Sequence, residues 1–242
     1  MVEKERGGDS SPVHLEGIEM MANAFHKTNA LAKKYTEKRL AIYESILNRK
    51  CQDVLEVGCG PGVFYKPWQS ANVSWTGIDI NPYWKEFGQQ NQIPISNYPI
   101  DSIKDQYDVI MAYQVIEHVE DPVSFMKGII ARLKPGGIVH LELPNQNALT
   151  SKLRRISSQF SYDYGFIQPP MHLRAFRKKT ICRLFKDFNL ESKLVLTCGN
   201  TDKIWGQVRD YNLLQKSLYR LAGMFGLGSL LIGVAQKGDS ID

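Results

Sequence analysis

The chain has 242 residues, enough for one domain with a full hydrophobic core. Its net charge of +5 permits an acidic ligand without demanding one. Cys51, Cys59, Cys182 and Cys198 show no metal-type or redox-pair spacing and no signal peptide is visible, so reduced thiols in the cytoplasm are expected.

Residues 1–17 are polar and contain glycines, the composition of a disordered tail, and a single domain is expected over 18–242. Over 18–50, Leu31, Tyr35, Leu40, Tyr43, Ile46 and Leu47 recur mostly at three- and four-residue spacings, which predicts one or two amphipathic helices. They either cover the mouth of a site or pack on a sheet. Next comes Asp53–Phe64, in which Val54, Leu55, Glu56 and Val57 run into Gly58-Cys59-Gly60-Pro61-Gly62. A short apolar run ending in glycines predicts a buried parallel strand and a tight turn. Glycine there admits positive φ and close approach of a ligand, and a following helix would offer unpaired N–H groups. A second strand-like run, Val73–Ile80, contains Asp79. It lies about 20 residues past the first glycine, the separation of a ribose-binding acid. A nucleotide-like cofactor over the glycine turn is the functional expectation.

Asn81-Pro82 starts a helix through Tyr83–Gln90, and Ile93–Ile95 is a short third strand. Tyr107–Tyr113 is apolar enough for a central strand, with Gln114–His118 at its carboxyl end, where open parallel sheets bind ligands. Asp121-Pro122 caps a helix whose Val123, Met126, Ile129, Ile130 and Leu133 form the stripe expected to face the sheet. Lys134–Gly137 ends it, and Ile138–Leu143 is the next strand. Glu117 and His118 are the candidates for chemistry, because a histidine at a strand end can take a proton near neutral pH. His140, inside a strand, is expected to be a packed or edge residue.

Past Asn147, Ser151–Arg155 and Arg174–Lys186 are basic, with Phe160, Tyr162, Tyr164 and Phe166 between them. Such interleaving is compatible with nucleic acid, but solvated helix faces over an aromatic core are favoured. Leu190–Cys198 and Ser229–Gln236 read as late strands. The insertion between them, Thr201–Gly228, carries Leu213, Leu214, Leu218, Leu221 and Met224 at helical spacing. That stripe is expected to be buried against the sheet or over an acceptor pocket, a membrane surface being the less favoured partner.

Glu56-Val-Gly-Cys-Gly-Pro-Gly62 resembles the first motif of class I S-adenosylmethionine (SAM) dependent methyltransferases. Gly77-Ile-Asp79, Tyr107–Ile110 with Val115–Val119, and Leu133–Gly137 leading to Pro144-Asn145 follow in that family's order. The resemblance covers residues 50–145, with weaker similarity to the end. It implies an α/β, Rossmann-like, doubly wound sheet of seven mostly parallel strands, helices on both faces and the last strand antiparallel. Residues 51–145 would be the SAM-binding half and 146–242 the acceptor side. It further implies Gly58, Gly60 and Gly62, with Cys59 among them, at the methionine part of SAM. Glu56 would orient the ammonium and Asp79 hold the ribose, with Ile80 and Gln114 also at the cofactor and Asp101-Ser102 near the adenine amino group. Glu117, His118 and His172 would serve a small-molecule acceptor, oxygen being the favoured atom, in a pocket that also takes in Asn145. Gln114–His118 also resembles the E-x-x-E-H metal site of ubiquinone-pathway and small-RNA methyltransferases. Gln114 replaces the first carboxylate, however, so no metal ligand is assigned. Metal-assisted O-methylation of a quinone precursor or RNA, with His172 as a later ligand, is the alternative. Binding of SAM without catalysis stays open, and the oligomeric state is not indicated.

Overall fold

The computed structural model describes residues 29–149, 173–199, 217 and 221–239. The N-terminal tail and residues 201–216 of the insertion lie outside these, as does His172. Apolar runs form the strands β1 (Asp53–Val57), β2 (Ser74–Ile78), β3 (Ile95–Ser96), β4 (Tyr107–Tyr113), β5 (Leu133–Pro144), β6 (Glu191–Cys198) and β7 (Leu230–Gln236). They make one sheet in the order 3-2-1-4-5-7-6. β7 runs antiparallel to both β5 and β6, and the pairings from β3 to β5 are parallel. The chain leaves β1 outward through β2 and β3, then returns to lay β4 on the other side of β1. That reversal opens a crevice at the carboxyl ends of β1 and β4.

The helices are α1 (Asn29–Leu47), α2 (Tyr65–Ser70), α3 (Pro82–Asn91), α4 (Pro122–Ala131) and α5 (Lys178–Asp187). Two of the starts follow directly from local chemistry. The Asn81 side chain accepts from the Tyr83 amide at 3.0 Å, and that of Asp121 from the Val123 and Ser124 amides at 2.9 and 3.2 Å, each with proline in the first turn. One core layer, with Tyr43, Trp68, Trp75 and Met111, lies under α1 and α2. The other, with Leu55, Ile110, Met126, Ile129 and Phe185, lies under α4 and α5.

Several expectations change. The segment after Gly62 makes turns up to Phe64, and α2 has only six residues, so the glycine loop does not open directly onto a long helix. Pro61 and three positive-φ glycines hold it in turn conformations instead. Val123 is half exposed, while Leu133 already belongs to β5, because α4 ends at Ala131. β3 begins at Ile95 rather than Ile93. Residues 221–224 are helical, but Leu221 and Met224 (83% exposed) face out of the described core, and Ala222 is the buried residue. Among the described residues no helix is long and apolar enough to cross a membrane.

Candidate functional site

At the carboxyl end of β1 the Gly58 and Cys59 amides donate to the Ile78 carbonyl at 2.8 and 3.2 Å, which pins the glycine loop to β2. The three glycines then differ in what requires them. A Cβ on Gly58 would lie 2.3 Å from a Val115 methyl, and one on Gly62 would lie 2.8 Å from an Ile93 methyl, so packing keeps these positions bare. At Gly60 (φ +51°) a Cβ would meet no heavy atom nearer than Trp84 at 4.0 Å. Its side is open, as a ligand cradle would be. Cys59 is buried with its Sγ toward Gly77, in agreement with a need for small size.

Asp79 follows β2 directly and meets this loop. Its Oδ2 accepts from the Gly60 amide at 2.9 Å and its Oδ1 from the Asn81 amide at 2.9 Å. Burial raises its carboxyl above the usual range, against the pull of those two N–H groups. Beside it Ile80 is 85% exposed, an apolar side chain left at the rim of a polar crevice.

Glu56 points from β1 to the α1 side of the sheet, where its Oε2 accepts from the Trp75 indole N–H at 2.8 Å. Burial pushes its carboxyl up to about 8, opposed by that hydrogen bond and by Arg39. Arg39 is the functional-site neighbour that the sequence did not reveal. It sits on the buried face of α1 with Ala32, Tyr35, Thr36, Tyr43 and Leu47, and is only 2% exposed. Its guanidinium donates to Glu142 Oε1 at 2.7 Å and stacks over Tyr113 and Phe64 at 4.7 and 5.1 Å. His140 Nε2 lies 3.3 Å from the same Glu142 oxygen, and its Nδ1 hydrogen-bonds with the Tyr43 hydroxyl and, at 3.2 Å, with that of Tyr113. His140 is therefore packed, but in the sheet interior and not at an edge. Burial depresses its pKa in spite of Glu142, so the ring is neutral near pH 7. A helical arginine among lysines reads as solvated; its spacing of four from both Tyr35 and Tyr43 was the one available signal.

Gln114 follows β4 directly with φ +56°, a left-handed conformation rare outside glycine, and its amide donates to the Glu142 carbonyl at 2.7 Å. The turn that follows buries Glu117 (1% exposed) and exposes His118. Both Glu117 carboxylate oxygens are buried without a hydrogen-bond partner among the described residues. Burial pushes this carboxyl up to about 7, and His118 Nε2 lies 3.9 Å from it. No group of three or more His, Cys, Asp or Glu among the described residues could hold a metal ion.

Of three further expected site residues, two are exposed and one is buried. Asp101 and Ser102 lie exposed in a single 3-10 turn, where Arg132 donates to the Asp101 carbonyl at 2.9 Å and the Asp101 carboxylate abuts Gly128 of α4. Asn145 is buried, and its amide nitrogen donates to the Gly226 and Gly228 carbonyls at 3.1 and 2.7 Å. It anchors the approach to β7 rather than presenting its amide to a pocket.

A family model described as a methyltransferase domain matches residues 23–194. The ubiquinone biosynthesis O-methyltransferase of Hydrogenovibrio crunogenus is 26% identical over 159 residues, 57% of this chain and 63% of that one. Its Coxiella burnetii namesake is 29% identical over 132 residues, 50% of this chain and 53% of that one. The chain thus spans about half to two thirds of the length of these relatives. In fold it is similar to the plantazolicin methyltransferase BpumL, solved with a triazolic desmethylPZN analog and SAH (TM-score 0.63, 16% identity, 95% of this chain and 92% of that one). It is similar as well to a SAM dependent methyltransferase from Archaeoglobus fulgidus (TM-score 0.57, 17% identity, 85% and 94%).

Proposed function

Since the chain belongs to the methyltransferase-domain family, we propose that it transfers the methyl group of SAM to an oxygen of a small-molecule acceptor. The observation that carries this reading is the meeting of Gly60 and Asp79. An open, side-chain-free backbone position lies one hydrogen bond, 2.9 Å, from a carboxylate at the neighbouring strand end. The residues fit the cofactor: Gly60 leaves room for it, and Asp79 offers oxygens to ribose hydroxyls. Ile80 offers an apolar rim for a base, and Glu56 offers a buried carboxyl that an arriving ammonium would draw into its ionised form.

Bound SAM supplies a methyl group on a sulfonium, which makes the step an in-line displacement. The tasks left to the protein are to align donor and acceptor and to exclude water. Gln114, strained at the end of β4, holds its turn at the crevice. His118 receives the proton of the attacking hydroxyl, and Glu117 beside it stabilises the imidazolium; a buried carboxyl held near 7 suits that exchange. An oxygen acceptor is further supported by the names of the ubiquinone-pathway relatives, which make a phenolic hydroxyl of a quinone precursor the first acceptor to test.

The test is incubation with methyl-labelled SAM and catechol-type phenols, with and without chelator, followed by fractionated metabolites. Label on an oxygen, insensitive to chelator and lost in Glu117→Gln, is the expected result. Binding of S-adenosylhomocysteine (SAH) with no label in any fraction would leave a SAM-binding protein without catalysis.

A further inference from the structure

One buried side chain touches the glycine loop, the end of β4 and β5 at once. Arg39 comes from α1, which lies outside the SAM-binding half. Its guanidinium lies against both Phe64, which closes the glycine loop, and Tyr113, the last residue of β4, on the same side of the two rings. Those two rings also meet edge to face, with centroids 5.8 Å apart. Its ion pair is with Glu142, whose own carbonyl accepts the amide of Gln114. Gln114 is held at φ +56°, a conformation that persists only where its surroundings impose it. Glu56 also feels the guanidinium. Loss of Arg39 would leave the Glu142 carboxylate buried beside a neutral His140, and the rings of the loop and of the β4 end without the flat cation that both contact.

We propose that Arg39 is a positioning residue for methyl transfer, making the seating of α1 a condition for the shape of the glycine loop and of the Gln114 turn. The inference rests on the methyltransferase reading for its consequence but not for its geometry. The N-terminal helix is then a working part of the cofactor site, acting through Glu142, Phe64 and Tyr113, and touches no reacting atom.

The experiment separates positioning from mere support by removing both charges together. Arg39→Met alone should lower the melting temperature, since it strands a buried carboxylate. The double variant Arg39→Met with Glu142→Gln keeps an acceptor for His140 and should recover melting to near the parent value, because a neutral replacement of a buried ion pair is commonly tolerated. It should nevertheless bind SAH at least tenfold more weakly by calorimetry. Amide exchange in the unliganded protein should rise at residues 60–64 and 114–118 and stay unchanged in α4. Recovery of affinity and of exchange protection along with stability would overturn the proposal. Should the double variant not fold, Arg39→Lys decides: it retains the charge, has no flat face to lay against the two rings, and should show the same exchange increase, whereas parent-like exchange refutes the idea. If the parent protein itself fails to bind SAH, the SAM reading falls, and the exchange measurement still judges Arg39 by itself.

Discussion

Two glycines two residues apart should respond to the same substitution in opposite ways. Alanine at Gly60 places a Cβ where the nearest heavy atom is 4.0 Å away, so its effect on the folded chain is limited to backbone strain at φ +51°. An L-residue in that region costs about 1–2 kcal/mol. For a domain of this size that corresponds to a fall in Tm of roughly 2–8 °C. Alanine at Gly58 incurs the same backbone strain at φ +70° and adds a Cβ 2.3 Å from a Val115 methyl. Overpacking adds about 1–3 kcal/mol, for a fall of roughly 4–20 °C in all. Ligand response should reverse this order. Saturation at a hundred times Kd stabilises a folded protein by about 2.7 kcal/mol, so SAH should raise the parent Tm by roughly 5–11 °C. Gly60→Ala should lose most of that shift while melting close to the parent without ligand. Gly58→Ala should melt low and retain a ligand shift as far as it folds. Circular dichroism melts with and without SAH, with calorimetric Kd values, measure both quantities. A full ligand shift in Gly60→Ala would refute the placement of a cofactor against that residue.

Two other outcomes follow from the buried charges. The Glu56 carboxyl titrates at about 8 in the folded chain against 4.5 for an ordinary glutamate, so its stabilising contribution is complete below pH 4.5 and is lost as pH rises through 8. Between those limits stability should fall by roughly 1.4 kcal/mol per pH unit from this group alone, and Glu56→Gln should remove that slope. Urea unfolding from pH 6 to 9 tests it, and parallel curves for parent and variant would count against it. At the opposite ends of the strands, Asp108 accepts from the Gln52 amide at 2.7 Å and pairs with Arg49 and Lys134 at 2.8 and 3.1 Å. Burial alone would raise its pKa, but these partners outweigh burial and hold it low. Asp108→Ala should therefore destabilise by about 1.5–3 kcal/mol, since the partly exposed Arg49 and Lys134 return to water, while leaving SAH affinity unchanged, whereas weakened binding would argue that the two strand ends are coupled.

The order of elements was legible because it rests on local chemistry. Tyr107–Tyr113, apolar but for Asp108, forms β4 at those bounds, and the Asn81-Pro82 and Asp121-Pro122 pairs start α3 and α4 through their own side chains. Glycine spacing and the position of Asp79 likewise needed no tertiary knowledge, since chain length between a turn and the next strand end fixes how the two can meet. Side-chain partners were another matter. Arg39 and Lys38 are neighbours of like charge in the sequence, yet only Arg39 falls on the face of α1 that meets β4 and β5. Leu221 and Met224 had helical spacing and still face outward, because spacing defines a stripe and not what covers it.

The sequence by itself determined an α/β chain with a bare turn and an acid at adjoining strand ends, since these depend on residues close along the backbone. Only the tertiary structure decided which glycine is open and which are packed, that Glu117 is buried beside an exposed His118, and that an arginine from the first helix reaches three strand ends. Those facts depend on contacts between residues up to 103 positions apart, for which the order of amino acids carries no local signature.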